Sequence, residues 1–144
     1  MTASTDRLLR RTLWANAILS AASGAGLALF AGPVARLAAV RPVSVLGLDL
    51  ATAVALLGVG FVAFAGLCAW VASRDVLPVA WGRAIFAGDV AWVAISAVLL
   101  SLSGTWTTFG FVGIAVMALV VADLAILEYL GLRRLAGPGL RTAH

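Results

Sequence analysis

The chain has 144 residues, of which 63% are hydrophobic and only 11% are charged. Soluble domains are roughly 45–50% apolar and about 25% charged, and small domains bury the smallest fraction of their surface. This composition excludes an ordinary water-soluble domain and makes the lipid bilayer the expected solvent. The length allows a single domain.

The formal net charge is +4, and all ten basic residues are arginines. They lie at the ends of apolar stretches and form no stripe, so nucleic acid is not an expected partner. In a membrane protein, basic residues mainly report which side of the bilayer each loop occupies.

Residues that commonly carry chemistry are scarce. The single cysteine, Cys68, excludes a disulfide within the chain, and the single histidine, His144, argues against a haem or zinc site built from histidines. There is no paired Ser/His or Cys/His arrangement and no glycine-rich phosphate loop. We therefore expect no metal, no cofactor and no enzymatic activity.

The first predicted span covers residues 13–30 and follows three arginines, Arg7, Arg10 and Arg11. A connector over residues 31–42 contains Gly32-Pro33 and Arg41-Pro42. Between its prolines, Val34–Val40 has the length of two helical turns, and we expect this segment to lie in the membrane interface.

Three further apolar stretches are each long enough to span the hydrocarbon core, which needs about 20 residues. They cover residues 47–72, 83–102 and 108–130, and Ser103-Gly104-Thr105 predicts a tight turn between the last two. Residues 1–135 are thus predicted to form one transmembrane domain. We expect the tail, residues 136–144, to be loosely ordered.

The arginine distribution predicts the orientation. Eight arginines flank one side of the predicted spans and two flank the other, Arg36 and Arg41. Because basic residues favour the cytoplasmic side, both termini are predicted to be cytoplasmic. The predicted fold is an all-α, up-down-up-down four-helix transmembrane bundle in a bacterial cytoplasmic membrane.

Ionisable side chains within spans are costly, which makes each a functional candidate. At the helical rise per residue, Asp89 lies about 9 Å into its span, and Asn16 and Asp123 lie about 7–8 Å from their boundary residues. We therefore expect one polar layer in the cytoplasmic half, formed by Asn16, Ser20, Arg83, Asp89, Asp123 and Glu128.

Two interpretations of this layer remain open at the level of sequence. Its groups either hydrogen-bond to one another and determine which helices are neighbours, or they form a proton- or ion-coupling site. Arg83 likewise either extends to the headgroups or pairs with one of the aspartates. Asp49 is expected outside the layer, in the outer interface, with Arg36 or Arg41 nearby.

Two known four-span families do not fit. Small multidrug resistance transporters carry a glutamate in the first span, where this chain offers Asn16. The stretch Thr105–Phe111 faintly resembles small fluoride channels, but their asparagine pattern is missing. The basic start, Asn16 and the Ala-Gly-Asp-x-Ala-Trp stretch of Ala87–Trp92 resemble a loose class of uncharacterised bacterial four-span membrane proteins. That resemblance implies no known activity.

The sequence thus predicts a small non-enzymatic membrane protein, an accessory or structural subunit that associates with itself or with a larger membrane complex. The alternative is a small proton- or ion-coupled transporter or channel that uses Asp89 and Asp123. The first function predicts a dry, filled interior with a satisfied polar layer and an exposed stripe of small residues for a partner. The second predicts a water-accessible cavity that reaches these carboxylates from the cytoplasm.

Overall fold

The computed structural model describes residues 5–102 and 104–136. In this part of the chain, four helices are long and apolar enough to cross a membrane, with mean hydropathies of 1.3 to 2.5 over their spans. The prediction of an all-α chain with four apolar helices is confirmed. In chain order, the elements are α1 (Thr5–Leu29), α2 (Ala31–Ala38), β1 (Ser44–Val45), β2 (Leu48–Asp49), α3 (Leu50–Ala72), α4 (Val79–Ser101) and α5 (Thr108–Ala136).

The long helices have different limits from the predicted spans. α1 begins at Thr5 and α5 continues to Ala136, because arginine and leucine are good helix formers beyond the hydrocarbon boundary. α4 begins directly after Pro78, a residue that cannot continue a helix in its N-terminal direction. Residues 137–144 of the predicted tail and Ser103 of the predicted turn lie outside the described residues.

The connector contains a short helix and a hairpin. The predicted helix is found as α2, which begins earlier, at Ala31, and carries Pro33 in its first turn, where a missing N–H has no consequence. β1 and β2 pair in antiparallel fashion, and the turn residues Leu46 and Gly47 both have positive φ, 53° and 82°. Two such residues form the turn that suits a tight hairpin, so α3 starts at Leu50 rather than at residue 47.

α1 lies at the centre of the bundle. It packs against α3 and α5, α5 packs against α4, and the backbones of α3 and α4 scarcely touch. Aromatic side chains span the gap between α3 and α4. The ring centroids of Trp70 and Trp81 are 5.9 Å apart, and those of Phe61 and Trp92 are 4.9 Å apart.

Glycines allow α1 and α3 to pack closely against each other. A Cβ atom on Gly24 of α1 would lie 2.6 Å from the carbonyl oxygen of Gly58 in α3, and one on Gly58 would lie 2.5 Å from the backbone nitrogen of Ala28. No side chain fits at either position without moving a backbone. This is how small residues bring membrane helices together when lipid removes the hydrophobic driving force.

The two ends of the bundle are each held by specific contacts. At one end, Arg10 of α1 donates hydrogen bonds to the carbonyl oxygens of Ala72, Arg74 and Asp75. We call this the terminal end, because α1 starts and α5 finishes there. At the other, the connector end, Val40 N–H donates to the Thr105 carbonyl at 3.0 Å.

Candidate functional site

Four buried polar side chains meet inside the bundle: Asn16 and Ser20 of α1, Asp89 of α4 and Glu128 of α5. Each lies on the buried stripe of its helix. The buried residues of α5, for example, recur at helical spacing: Val121, Leu124, Ala125, Glu128, Gly131 and Leu132. Asn16 is 1% exposed, Asp89 is 4% exposed and Glu128 is 0% exposed.

Asn16 connects the two carboxylates. Its amide nitrogen donates to Asp89 Oδ2 at 2.6 Å and to Glu128 Oε1 at 3.0 Å, and its amide oxygen accepts from the Ser20 hydroxyl at 3.0 Å. Because both carboxylate oxygens lie within hydrogen-bond distance of one nitrogen atom, Asp89 and Glu128 are neighbours. Three helices are therefore joined through a single amide group.

No arginine among the described residues donates a hydrogen bond to this carboxylate pair. The other oxygen of Glu128, Oε2, is buried and has no hydrogen-bond partner among the described residues. Buried carboxylates are normally paired with a cation or hydrogen-bonded at both oxygens. The pair thus has fewer donors than two ionised carboxylates require.

Two residues of the predicted polar layer do not join this cluster. Asp123 is exposed on the surface of α5, and Arg83 is exposed near the start of α4. Asp123 and Glu128 are five residues apart, which is about 140° around a helix. Because they occupy different faces, Glu128 and not Asp123 is the second carboxylate beside Asp89.

The sequence did contain a signal for Glu128. The predicted span ends at residue 130, so Glu128 lies near its boundary in the prediction. Asp123, five residues before Glu128, then lies deeper in the membrane. The helix continues to Ala136, which places Glu128 two turns inside it. The spacing of Glu128 from Val121 and Ala125 on the apolar stripe indicates a buried face, whereas Asp123 lies off that stripe.

A cavity of about 230 Å³ adjoins the cluster on its connector side. Ser20 and Asp89 lie in its wall, and the rest of the lining is apolar or aromatic: Leu19, Phe61, Phe64, Gly88, Ala91, Trp92, Ile95, Met117 and Val121. A second cavity of about 250 Å³ continues towards the connector end and shares Phe61, Trp92 and Met117 with the first.

The terminal half of the bundle contains the main buried apolar cluster. It is formed by Leu9, Leu13, Ala17, Cys68, Val71, Ala72, Leu77, Ile85 and Leu132. The carboxylate pair therefore sits at the boundary between a densely packed half and a half that contains cavities.

The indole of Trp92 borders both cavities. The indole nitrogen of Trp92, Nε1, is buried and has no hydrogen-bond partner in the described part of the chain. Its backbone carbonyl accepts the hydroxyl of Ser96 at 2.8 Å. The unpartnered indole is a second polar group beside the cavities with an unmet hydrogen bond.

Asp49 lies apart from this site, at the start of α3. Its carboxylate accepts from Thr52 Oγ1 at 2.6 Å and from Thr52 N–H at 3.0 Å, and these bonds hold the pKa of Asp49 below its ordinary value of 3.8. It shares an outer cavity with Arg36 and Arg41. Asp49 thus caps its helix.

Chemically, the buried site offers two adjacent carboxylates, an amide that holds them together and an apolar space next to one of them. Within the described residues, no group of three or more His, Cys, Asp or Glu side chains is arranged to hold a metal ion. Comparisons of the chain with protein-family models, with curated proteins and with solved structures found no match.

Proposed function

We propose that this protein is a small, non-enzymatic membrane transport protein in which Asp89 and Glu128 form one exchangeable proton site. The observation that carries the proposal is the pair itself, two buried carboxylates on one amide nitrogen, to which no arginine of residues 5–102 and 104–136 donates a hydrogen bond. Ionisable groups inside a membrane bundle are kept mainly where they serve an ion or substrate path.

The charge of the pair follows from electrostatics. Two ionised carboxylates in contact repel each other, and each also loses its hydration when buried. One proton on the pair removes one charge and supplies a donor between the two groups. The pair then carries a single negative charge, which the Asn16 amide stabilises.

The cavities make this site accessible to a transported species. Asp89 lies in the wall of the first cavity, whereas the packed apolar cluster separates the pair from the terminal end. A site that is open on one side and closed on the other has the arrangement that one state of an alternating-access cycle requires.

The accessory-subunit function expected from the sequence is less well supported. It predicts a filled interior with satisfied polar groups, whereas Glu128 Oε2 and Trp92 Nε1 lack partners and two cavities occupy the connector half. Association with further copies or with a larger membrane complex is compatible with transport and forms no part of the proposal.

We place the protein in a bacterial cytoplasmic membrane with both termini in the cytoplasm. The support is the arginine distribution, because the arginines of the terminal end outnumber those of the connector, Arg36 and Arg41. In this orientation the cavities lie in the outer half of the bilayer and the buried apolar cluster lies in the cytoplasmic half. The carboxylates are then approached from the side opposite to the cytoplasmic opening that the sequence led us to expect.

A pH jump on proteoliposomes adsorbed to a solid-supported membrane tests the proposal without knowledge of the substrate. Protonation of a site inside the membrane moves charge and gives a transient current. We expect a current from the unmodified protein and its reduction to the level of empty liposomes in Asp89→Asn and Glu128→Gln. Asp123→Asn is the matched control, since it removes an exposed carboxylate from the same helix as Glu128.

A current that persists in both Asp89→Asn and Glu128→Gln would contradict the proposal. Co-purification from native membranes, measured on the same variants, separates the two functions. Loss of a partner protein with an unchanged current would support the accessory-subunit function instead.

A further inference from the structure

We infer that the cavity beside Asp89 binds a small organic cation with an apolar body, such as a substituted ammonium ion that carries an aromatic ring. The inference rests on the proposed transport function and names the class of its substrate. It follows from the size and lining of the cavity, from the charge at its base and from the side on which it opens.

The cavity fits an apolar body. Its volume is about 230 Å³, and the adjoining cavity adds about 250 Å³ along the same interior. Phe61, Phe64 and Trp92 contribute aromatic surface, and the rings of Phe61 and Trp92 meet edge to face. Apolar walls with few polar groups are typical of small-molecule sites.

The charge at the base of the cavity selects a cation. Asp89 lies in the wall, and Glu128 lies beside it across the Asn16 amide. Aromatic faces also attract cations, most strongly where water is excluded. An anion would meet both the carboxylates and the negative ring faces, so the same lining disfavours it.

The cavity opens towards the membrane. Gly88, Ala91 and Ile95 line it and are also exposed on the surface of α4, and along the bundle the backbones of α3 and α4 make few contacts, so that mainly aromatic side chains of α3 cover the space between them. An opening between two membrane-spanning helices faces lipid. A cation with an apolar body partitions into the bilayer and can enter by this route, whereas a metal ion cannot.

Cation and proton compete for the same carboxylates. When the cation binds, the O–H bond of the protonated carboxyl breaks, its electron pair stays on the oxygen, and the proton passes to water. The released proton balances the bound charge. By linkage, a lower pH must weaken binding of the cation to the same extent as the cation weakens binding of the proton.

Binding of benzyltrimethylammonium to the purified full chain in detergent tests this inference. The neutral isostere neopentylbenzene, in which carbon replaces nitrogen, and phenylacetate serve as competitors. We expect the cation to bind about tenfold more tightly than its isostere, as about 1–2 kcal/mol of charge-dependent attraction implies. Phenylacetate should not compete, and acidification should weaken binding of the cation.

Variants identify the site. Asp89→Asn should remove the preference for the cation, and Asp123→Asn should keep it. Met117→Trp, which fills the space that both cavities share, should abolish binding without changing a carboxylate, and it provides the test if Asp89→Asn does not fold.

Equal affinities for the cation and its isostere, or unchanged binding in Met117→Trp, would overturn the inference. The proposed proton site would still be supported after those results if the pH-jump current depended on Asp89 and Glu128. Absence of the pH-jump current from the unmodified protein, with cation binding retained, would instead overturn the proposed function.

Discussion

Asn16 uses both ends of its amide group inside the bundle. Both amide hydrogens point to carboxylates, and the carbonyl oxygen accepts from Ser20. An aspartate in the same place would add a third negative charge, and a leucine would leave both carboxylates without a donor. Asparagine therefore matches a site that contains one shared proton and one negative charge.

We predict that Asn16→Leu lowers the free energy of unfolding by about 1–3 kcal/mol, because it leaves buried acceptors without a partner. The loss of unfolding free energy caused by Asn16→Leu should be at least halved in the Asp89→Asn, Glu128→Gln background. There the two side-chain amides that replace the carboxylates can hydrogen-bond to each other. Unfolding in detergent, followed by circular dichroism, measures this double-mutant cycle. Additive effects would show that Asn16 does not act through the carboxylates.

At the scale of helices, the contact of α1 with α3 depends on Gly24 and Gly58. We predict that Gly58→Ala destabilises the bundle by about 1–3 kcal/mol, because the added methyl group overpacks a backbone contact. Gly60→Ala is the matched control on the same helix, since a Cβ atom there meets nothing within 4 Å. Thermal unfolding of the two variants compares them, and equal losses would contradict this packing.

Hydropathy predicted which segments form long helices, but it did not predict where they end. The lipid boundary limits an apolar stretch, whereas a helix continues as long as its residues favour helical structure. α1 and α5 therefore extend beyond their predicted spans. The same difference explains why Glu128 is part of the buried site. It lies near the end of the predicted span but well inside the helix.

Depth along a helix was predictable, but the direction of each side chain was less so. Counting residues from the ends of the spans brought Asn16 and Asp89 to one level, and the structure joins them through a hydrogen bond. The same count included Asp123, which is exposed. The depth of a residue gives its position along the helix axis and not the direction of its side chain. The buried stripe of the helix indicates which residues at that depth point into the bundle.

For the whole molecule, the orientation in the membrane remains a prediction. In a Cys68→Ala background, we expect Leu46→Cys to react with a membrane-impermeant maleimide in intact spheroplasts. Val76→Cys should react only after the membrane is permeabilised. The two positions are 98% and 83% exposed and lie at opposite ends of the bundle. The reverse labelling pattern would place both termini outside.

The interior changes along the length of the molecule, from a packed apolar cluster at the terminal end to cavities in the connector half. The carboxylate pair lies where the two halves meet. In the proposed function, this position relates the protonation of the pair to the occupancy of the cavity. The claim that decides the proposal is that Asp89 and Glu128 share one proton.

Infrared spectroscopy of the reconstituted protein at neutral pH tests that claim most directly, because a protonated carboxyl group absorbs separately from ionised carboxylates. We predict a protonated-carboxyl band that shifts in D₂O and that disappears in both Asp89→Asn and Glu128→Gln, since a single remaining carboxylate ionises among amide donors. Asp123→Asn should keep the band. Absence of the band from the unmodified protein, or its persistence in both variants, would contradict a shared proton.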